Sequence, residues 1–479
     1  MTHDTPPELI LRRHARALER RRPFEALWQD CHDHVLPRPG AGAALYDATA
    51  ADAAEGLAAS LLAELTPPWS RWFGLRPARL PANEDAARSV TAALEDAAET
   101  LQGHLDRSNF ALEMHQAFLD LVVTGTGVLL VEEAPAGEAS AFRFTALPMR
   151  EAVLEQGASG LLDTVYRALR MTAAEIAARY PDAMLPRAML AETALEEAPR
   201  HAVIEAVWPA RAGFAFAAIL ADAGEAPLTL AAGEFTENPF IAFRWLKAPG
   251  EVFGRGPVAK ALPDIRTANK VVELVLKNAS IAATGIWQAE DDGVLNPATV
   301  QLVPGAIIPK APGSSGLTPL ATPGSFDVSQ LVLDDLRRRI RAALLADRIG
   351  AQRDVRMTAT EVLERGAETA RLLGATYGRL QSELLTPLIA RCLGILRRRG
   401  EIAPVLLDGR EAAIRYASPL AQLQGRADAA NTLLFLTAVR GLGAEAARQV
   451  DAGATARWLA RTLGAPAETL LPVPTPDQE

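Results

Sequence analysis

The stretch PVAKALPDIRTANKVVELVLKNASIAA, residues 257–283, decides how this chain is built. Pro257 stands where the first turn of a helix tolerates proline, and an apolar stripe then runs on through Leu262, Ile265, Ala268, Val272, Val275, Leu276 and Ala279. Asp264, Arg266, Lys270, Glu273 and Lys277 take the other faces, with Glu273 and Lys277 spaced to pair along the helix. At about 1.5 Å per residue, this predicts a rod about 40 Å long. The chain then changes character. Thr284 to Ser325 is rich in Gly and Pro, holds short strand candidates at Val300 to Val303 and Ala306 to Ile308, and cannot be one helix. A second rod begins near Asp327, whose carboxylate favours a helix N-terminus, and closes on Arg337, Arg338, Arg339 and Arg341. Two rods therefore flank one compact insertion.

Outward from this core, helical periodicity covers Pro7 to Trp28, Asp47 to Leu65, stopped by Thr66-Pro67-Pro68, and Asp85 to Arg107 continuing through Phe110 to Val122. Gly125 and Gly127 break the pattern, and strand signals follow at Val128 to Val131, Phe142 to Ala146, Glu151 to Glu155, Asp163 to Arg170, His201 to Trp208, Phe214 to Leu220 and Phe240 to Trp245. This mixed unit ends near Pro249. After a polar interval at Gly350 to Thr358, a long helical pattern spans Thr360 to about Arg399, with Pro387 expected to bend or divide it. Residues 401–479 read as helical windows with a frayed end. The fold class is α+β.

At 479 residues and 49% hydrophobic, the chain exceeds what a single core serves well, so a protein of several parts is expected. The N-terminus lacks the pattern of a secretory signal, and the longest apolar run, Leu119 to Val131, is too interrupted to span a bilayer. Cys31 and Cys392 follow no disulfide or metal-ligand spacing and read as buried thiols. A net charge of −9 argues against a protein that grips nucleic acid by neutralising many phosphates. Basic residues do cluster at Arg12 to Arg22, at Arg337 to Arg341, and at Arg348, Arg353 and Arg356; for each, a solvated helix face is the alternative to a functional patch.

No phosphate-binding loop, H-E-x-x-H motif or G-x-S-x-G elbow is present, no pair of acids stands out as general acid and base, and no cofactor is called for. Cys31, His32 and His34 lack a fourth metal ligand and read as an ordinary helix end. Gly125-Thr126-Gly127 precedes a strand and reads as a turn rather than a nucleotide loop, and Gly254-Arg255-Gly256 as a flexible entry to the first rod. Trp69 and Trp72 suit core or interface anchors.

Taken in order, several stretches give the chain a family likeness: Arg22-Pro23-Phe24 with Trp28, Tyr46-Asp47-Ala48-Thr49-Ala50, Leu65-Thr66-Pro67-Pro68 with Trp72-Phe73, and Gly125-Thr126-Gly127. Asp163-Thr164-Val165-Tyr166-Arg167, Gly254-Arg255-Gly256-Pro257 with Leu262-Pro263-Asp264-Ile265, and Thr358-Ala359-Thr360-Glu361-Val362 complete the set. Over residues 8 to 400 the sequence resembles the head-to-tail connector portal proteins of short-tailed phages and prophages. The resemblance implies a portal fold: a wing at 1–255, a stem helix at 256–283, a small α/β clip at 284–326, a second stem helix at 327–349, a channel loop at 350–358, a wing or channel helix at 359–400 and a helical crown with tail at 401–479.

It further implies a non-enzymatic subunit of the virion, assembled in the host cytoplasm as a ring, usually dodecameric, at one capsid vertex. Implied partners are other copies of itself, double-stranded DNA in transit, the terminase large subunit, tail adaptors, and the major capsid and scaffolding proteins, with no membrane. Stem packing is expected from Leu262, Ile265, Val272, Val275 and Leu276, and DNA-channel contact from Arg348, Arg353 and Arg356. A helical scaffold or head-tail adaptor is the rival reading, though it leaves the strand-rich unit unexplained, and a DNA-processing enzyme would need a catalytic cluster.

Overall fold

The computed structural model describes residues 5–37, 44–77, 84–192, 198–222, 226–284, 287–289, 312, 317–319, 326–346, 374, 376–403, 412–416, 419–443 and 448–463. Helix α1 (Pro7–Val35) buries Ile10, Ala17, Arg21, Trp28, Cys31 and Val35 along one face. The alanine-rich α2 (Thr49–Leu65) stops at the Pro67-Pro68 pair, as its sequence predicts. Strand β1 (Phe73–Pro77), α3 (Glu84–Arg107) and α4 (Phe110–Thr124) follow.

Strands β2 (Thr126–Glu133), β3 (Phe142–Ala146) and β9 (Phe240–Arg244) make an antiparallel sheet in the order β3-β2-β9. Between β3 and β9 in sequence, β4 (Ala152–Glu155), β5 (Thr164–Thr172), β6 (Arg200–Ala210), β7 (Gly213–Leu220) and β8 (Leu228–Phe235) form a five-stranded antiparallel meander. Two short helices, α5 (Ala173–Arg179) and α6 (Arg187–Glu192), interrupt it. Alternation along β6 divides the meander's faces: Ile204, Ala206 and Trp208 pack with Ile10 and Ala17 of α1, while Val203 packs with Ile176 of α5.

Helix α7 (Pro257–Thr284) leads to a two-stranded ribbon in which β10 (Trp287–Ala289) pairs with β11 (Leu317–Pro319), and α8 (Phe326–Ala343) returns. Trp287 lies opposite Pro319, so two segments within the predicted insertion, residues 287–289 and 317–319, are paired. Helix α8 is continuous to Ala343, Leu345 adopts the left-handed region at φ 58°, and residues 347–349 of the expected rod lie outside the described residues.

The division expected at Pro387 takes the form of a π turn, Gln381–Leu385, ahead of α9 (Thr386–Arg398). The Thr386 amide donates to the Gln381 carbonyl five residues back, and its hydroxyl donates to the same oxygen at 2.9 Å. Residues 401–479 are not wholly helical, contrary to expectation. Ala412–Tyr416 forms strand β12, paired antiparallel with β1, before α10 (Pro419–Gly441) and α11 (Ala452–Leu463). The pairing joins segments over 300 residues apart, which no local periodicity reports.

One buried ion pair ties these layers together. Arg244, at the end of β9, is 1% exposed and Glu383, in the π turn, 4% by side chain. Glu383 Oε2 accepts from the Arg244 backbone N–H at 3.0 Å and from its Nε at 3.1 Å; Oε1 accepts from the second guanidinium arm at 2.6 Å. The remaining Arg244 donors reach the carbonyls of Val252 at 3.0 Å and Gly160 at 2.9 Å. A second tie docks α8. Arg337 Nε donates to Asp47 Oδ2 at 2.8 Å, and the Thr49 amide to Asp47 Oδ1 at 3.0 Å. Burial alone would raise the Asp47 carboxyl, but the Thr49 and Arg337 hydrogen bonds outweigh it and hold the pKa below the ordinary carboxylate value.

Removing one partner of the clamp leaves an uncompensated buried charge, so Glu383→Ala should cost about 3–5 kcal/mol, with much of it recovered by Arg244→Met combined with Glu383→Leu. Denaturant unfolding checks this, and a loss below about 1 kcal/mol would show that the pair is not structural. Because the Asp47 pKa is lowered on folding, its contribution is fully present above the unfolded value of about 3.9 and lost as pH falls through the folded one. Asp47→Asn should therefore destabilise by about 1–3 kcal/mol at pH 7, with the gap closing below about pH 4. An equal gap at pH 7 and pH 3 would mean that charge does not hold α8.

Candidate functional site

The two glycine motifs, read separately as a turn and a flexible entry, are the halves of one contact. Gly125 ends α4 at φ 86°, and a Cβ there would overlap the Gly256 nitrogen. A Cβ on Gly254 would overlap the Gly125 oxygen, and one on Gly256 would stand 2.5 Å from the Val122 oxygen. The Gly254 amide donates to Thr126 Oγ1 at 2.9 Å, and the Trp245 amide to the Gly125 oxygen at 3.0 Å. Gly254 and Gly256 are buried, so the entry to α7 is a packed backbone crossing rather than a flexible one.

From this crossing α7 runs out beside α8. Near the body their facing stripes are buried: Leu262, Ile265 and Ala268 on α7, and Leu336 and Ile340 on α8, with Leu344 just beyond its end. Arg339 pairs with Asp264 at 2.9 Å, Asn269 Oδ1 accepts from the amides of Tyr46 at 2.6 Å and Asp47 at 3.1 Å, and Arg266 pairs with Asp30. Further out the packing thins. Val272 and Val275 are half-buried and Leu276 is 51% exposed, although it lies on the same stripe as Ile265. Of the five expected packing residues, Leu262 and Ile265 are used within the chain's own core, and Leu276 stands clear of it.

Each helix also carries a second apolar position. Leu274 lies nine residues after Ile265, and Leu331 nine before Ile340, which at about 100° per residue puts each leucine opposite its buried stripe. They are 48% and 70% exposed, with Val332 of α8 at 44%. The flanks differ in charge. Lys270 and Lys277 bracket Leu274 and donate to Glu273 at 2.8 Å and 2.5 Å, which lowers the Glu273 pKa to about 2. Asp334 and Asp335 follow Leu331, with Arg338 pairing to Asp335 at 3.0 Å. Sequence reading missed these leucines because they lie off the main stripe, on faces that are otherwise mostly polar. The signal was their half-turn offset from the main stripe.

Two of the three basic clusters serve internal ties. Arg13 pairs with Glu155 at 2.9 Å, and Arg21, 8% exposed, donates to the Met149, Arg150 and Ala152 carbonyls bordering the edge strand β4. Arg337, Arg338 and Arg339 each hold an aspartate. Arg348, Arg353 and Arg356 lie outside the described residues, as does the interval 350–358. Among the described residues, no group of three or more His, Cys, Asp or Glu side chains could hold a metal ion, and no helix is long and apolar enough to cross a membrane.

Residues 8–471 match the family model for the bacteriophage head to tail connecting protein. The chain is 26% identical over 511 residues to a "Probable portal protein" of Bordetella phage BPP-1, with 98% of this chain and 90% of the relative covered. It is 23% identical over 495 residues to the portal protein of Salmonella phage epsilon15, covering 94% and 86%. A solved virion of a native gene transfer agent particle aligns at TM-score 0.35 and 12% identity, covering 81% of this chain and 90% of that one. The match over nearly the whole length places the chain in the bacteriophage head-to-tail connecting family, and it is a portal protein.

Proposed function

We propose that this portal protein forms a closed ring whose stem is built from α7 and α8, with double-stranded DNA passing through its centre at one capsid vertex. The observation that carries the reading is the pair of opposed outer flanks on these two helices. A cyclic ring is heterologous: each subunit must offer two different, complementary surfaces. One flank here is Leu274 between two lysines, and the other is Leu331 and Val332 beside two aspartates.

Their heights agree. The Asp264–Arg339 pair sets the antiparallel level; ten residues on from Asp264 is Leu274, and ten back from Arg339 is Ser329, two residues or about 3 Å from Leu331. Rotation about an axis along the helices preserves height, so Leu274 of one copy would meet Leu331 of the next, with Lys270 near Asp334. The insertion 284–326, with β10 and β11 paired within it, would be the clip that receives first the terminase motor and later the tail adaptors. The interval 350–358, with Arg348, Arg353 and Arg356, would be the channel loop, and 12 copies the ring size, on family resemblance.

Burial of a leucine is worth about 1.5–3 kcal/mol, so Leu274→Asp or Leu331→Asp should convert rings to monomers in native mass spectrometry, by roughly ten- to a hundred-fold in affinity per contact. Lys270→Glu should weaken the ring and Asp334→Lys should restore it in the double variant. A wild-type protein that stays monomeric at every concentration and salt would end the ring reading. Deleting residues 293–315 should spare the ring and abolish packaging in a motor assay, whereas Arg353→Ala with Arg356→Ala should keep the ring and alter retained genome length in a salt-dependent way. Normal packaging by both would remove the clip and the channel loop from the mechanism.

A further inference from the structure

Strands β3, β9, β4 and β8 are the edges of the two larger sheets, and three of them carry side chains on their outer backbone. Asn109 stands in for a neighbouring strand on β3: its Nδ2 donates to the Phe144 carbonyl at 2.8 Å and its Oδ1 accepts from the Phe144 amide at 3.0 Å, while Glu113 accepts from the Ala146 amide at 2.8 Å. Arg21 donates to the Ala152 carbonyl of β4, and Glu383 accepts from the Arg244 amide of β9. On β8 the backbone from Leu228 to Gly233 meets no such side chain among the described residues. This stretch also holds no charge and no proline, the usual means of blunting an open edge. The register shifts at the buried Leu230, and beyond it Ala231 to Phe235 pair regularly with β7.

The open edge runs into a cleft. Two residues past Gly233, about 7 Å along a strand, Phe235 lines a cleft of about 410 Å³ with Leu130, Phe216, Phe240 and Arg391. That volume lies within the range of about 300–1,000 Å³ found for ligand sites. The Phe216 and Phe235 rings are 5.7 Å apart, and the Arg391 guanidinium stands 5.0 Å over Phe235. The Arg391 side chain is 3% exposed, yet its two hydrogen bonds are long: Nε to the Val131 carbonyl at 3.3 Å and Nη1 to the Glu237 carbonyl at 3.5 Å. Nη2 makes none among the described residues, so a buried cation has donors to spare at the cleft. Three rim carboxylates are already engaged, Glu132 and Glu205 by Arg179 at 3.5 Å and 2.7 Å and Glu133 by Arg398 at 3.8 Å.

We propose that β8 and this cleft are a docking site for an extended segment of a partner protein, added as a further strand of the meander with one large apolar side chain in the cleft. Main-chain hydrogen bonds along the open edge hold the segment, the aromatic floor selects its anchor, and Arg391 Nη2 donates to a carbonyl beside that anchor. Only a peptide supplies a ladder of backbone groups, an apolar side chain and a carbonyl together, and the paired rim carboxylates call for no basic residue in it.

The test titrates the intact assembly with a fluorescein-labelled octapeptide of alternating threonine and valine carrying one central phenylalanine, read by anisotropy. Binding should saturate, and alanine in place of the phenylalanine should weaken it roughly ten- to a hundred-fold. Methylating alternate peptide amides should abolish binding along one edge of the peptide and spare it along the other, because a strand pairs with β8 through one edge only. Bound peptide should slow hydrogen exchange of the outward-facing amides of residues 228–233 about ten-fold or more. Arg391→Gln, which removes the spare donors, and Phe216→Ala, which opens the floor, should each weaken binding about ten-fold. If neither variant assembles, hydrogen exchange on the wild type decides. Failure to saturate, equal effects of methylation on both edges, or protection outside β8 overturns the proposal. Outward amides already protected in the assembly without peptide would assign the edge to a neighbouring copy, which also overturns it.

Discussion

A carboxylate with every acceptor position filled is the constraint on which the body of this portal protein depends. Glu383 sits in a π turn, four residues ahead of Pro387, and faces Arg244 at the end of a strand 139 residues earlier in the chain. Burying either charge alone is costly, whereas their bidentate contact, supported by the Val252 and Gly160 carbonyls, offsets the cost only in one geometry. That geometry fixes where α9 starts relative to the three-stranded sheet. Its far end is held by Arg391 and Arg398 around Glu237, whose carboxylate lies against the bare backbone of Gly394.

Order passes from the clamp to the projecting helices through the backbone. The residue after Arg244 bonds to Gly125, Gly125 packs against Gly254 and Gly256, and α7 begins at the next residue. The closest contacts at the crossing are between backbones, with Thr126 Oγ1 accepting from the Gly254 amide, so the direction of α7 is set mainly by main-chain contact. Asp47 and Asn269 then hold α8 and α7 to the body, and Asp264 with Arg339 holds the two helices together, over their inner halves, leaving the outer halves more exposed. The acidic balance of the chain fits this division of labour. Most described arginines in the basic clusters are committed to carboxylates or carbonyls, so a surface built from them would not grip phosphate tightly.

Local pattern was enough for much of the architecture. The stripe from Leu262 to Ala279, the arginine-rich end of α8, the Pro67-Pro68 stop and the alternation in β3, β5 and β6 each follow from helix or strand geometry acting over a few residues. The same reasoning missed β8 and the β1–β12 pair, since Ala412 to Tyr416 has no strong alternation and gains its strand character from a partner more than 300 residues away.

The site divides in the same way. By itself the sequence determined the fold class, the two rods with their insertion, and the likeness to phage connectors, because helical period and motif order are properties of neighbouring residues. Only the tertiary structure decided that Leu262 and Ile265 serve the chain's own core while Leu274 and Leu331 stay exposed, since exposure depends on where the body ends beneath a helix. Only it decided that two glycine motifs far apart in the chain are one crossing, and that Glu383 is shared by Arg244 and Arg379. Close approach of distant backbone and saturation of one carboxylate are relations among atoms brought together by folding, and no spacing along the chain encodes them.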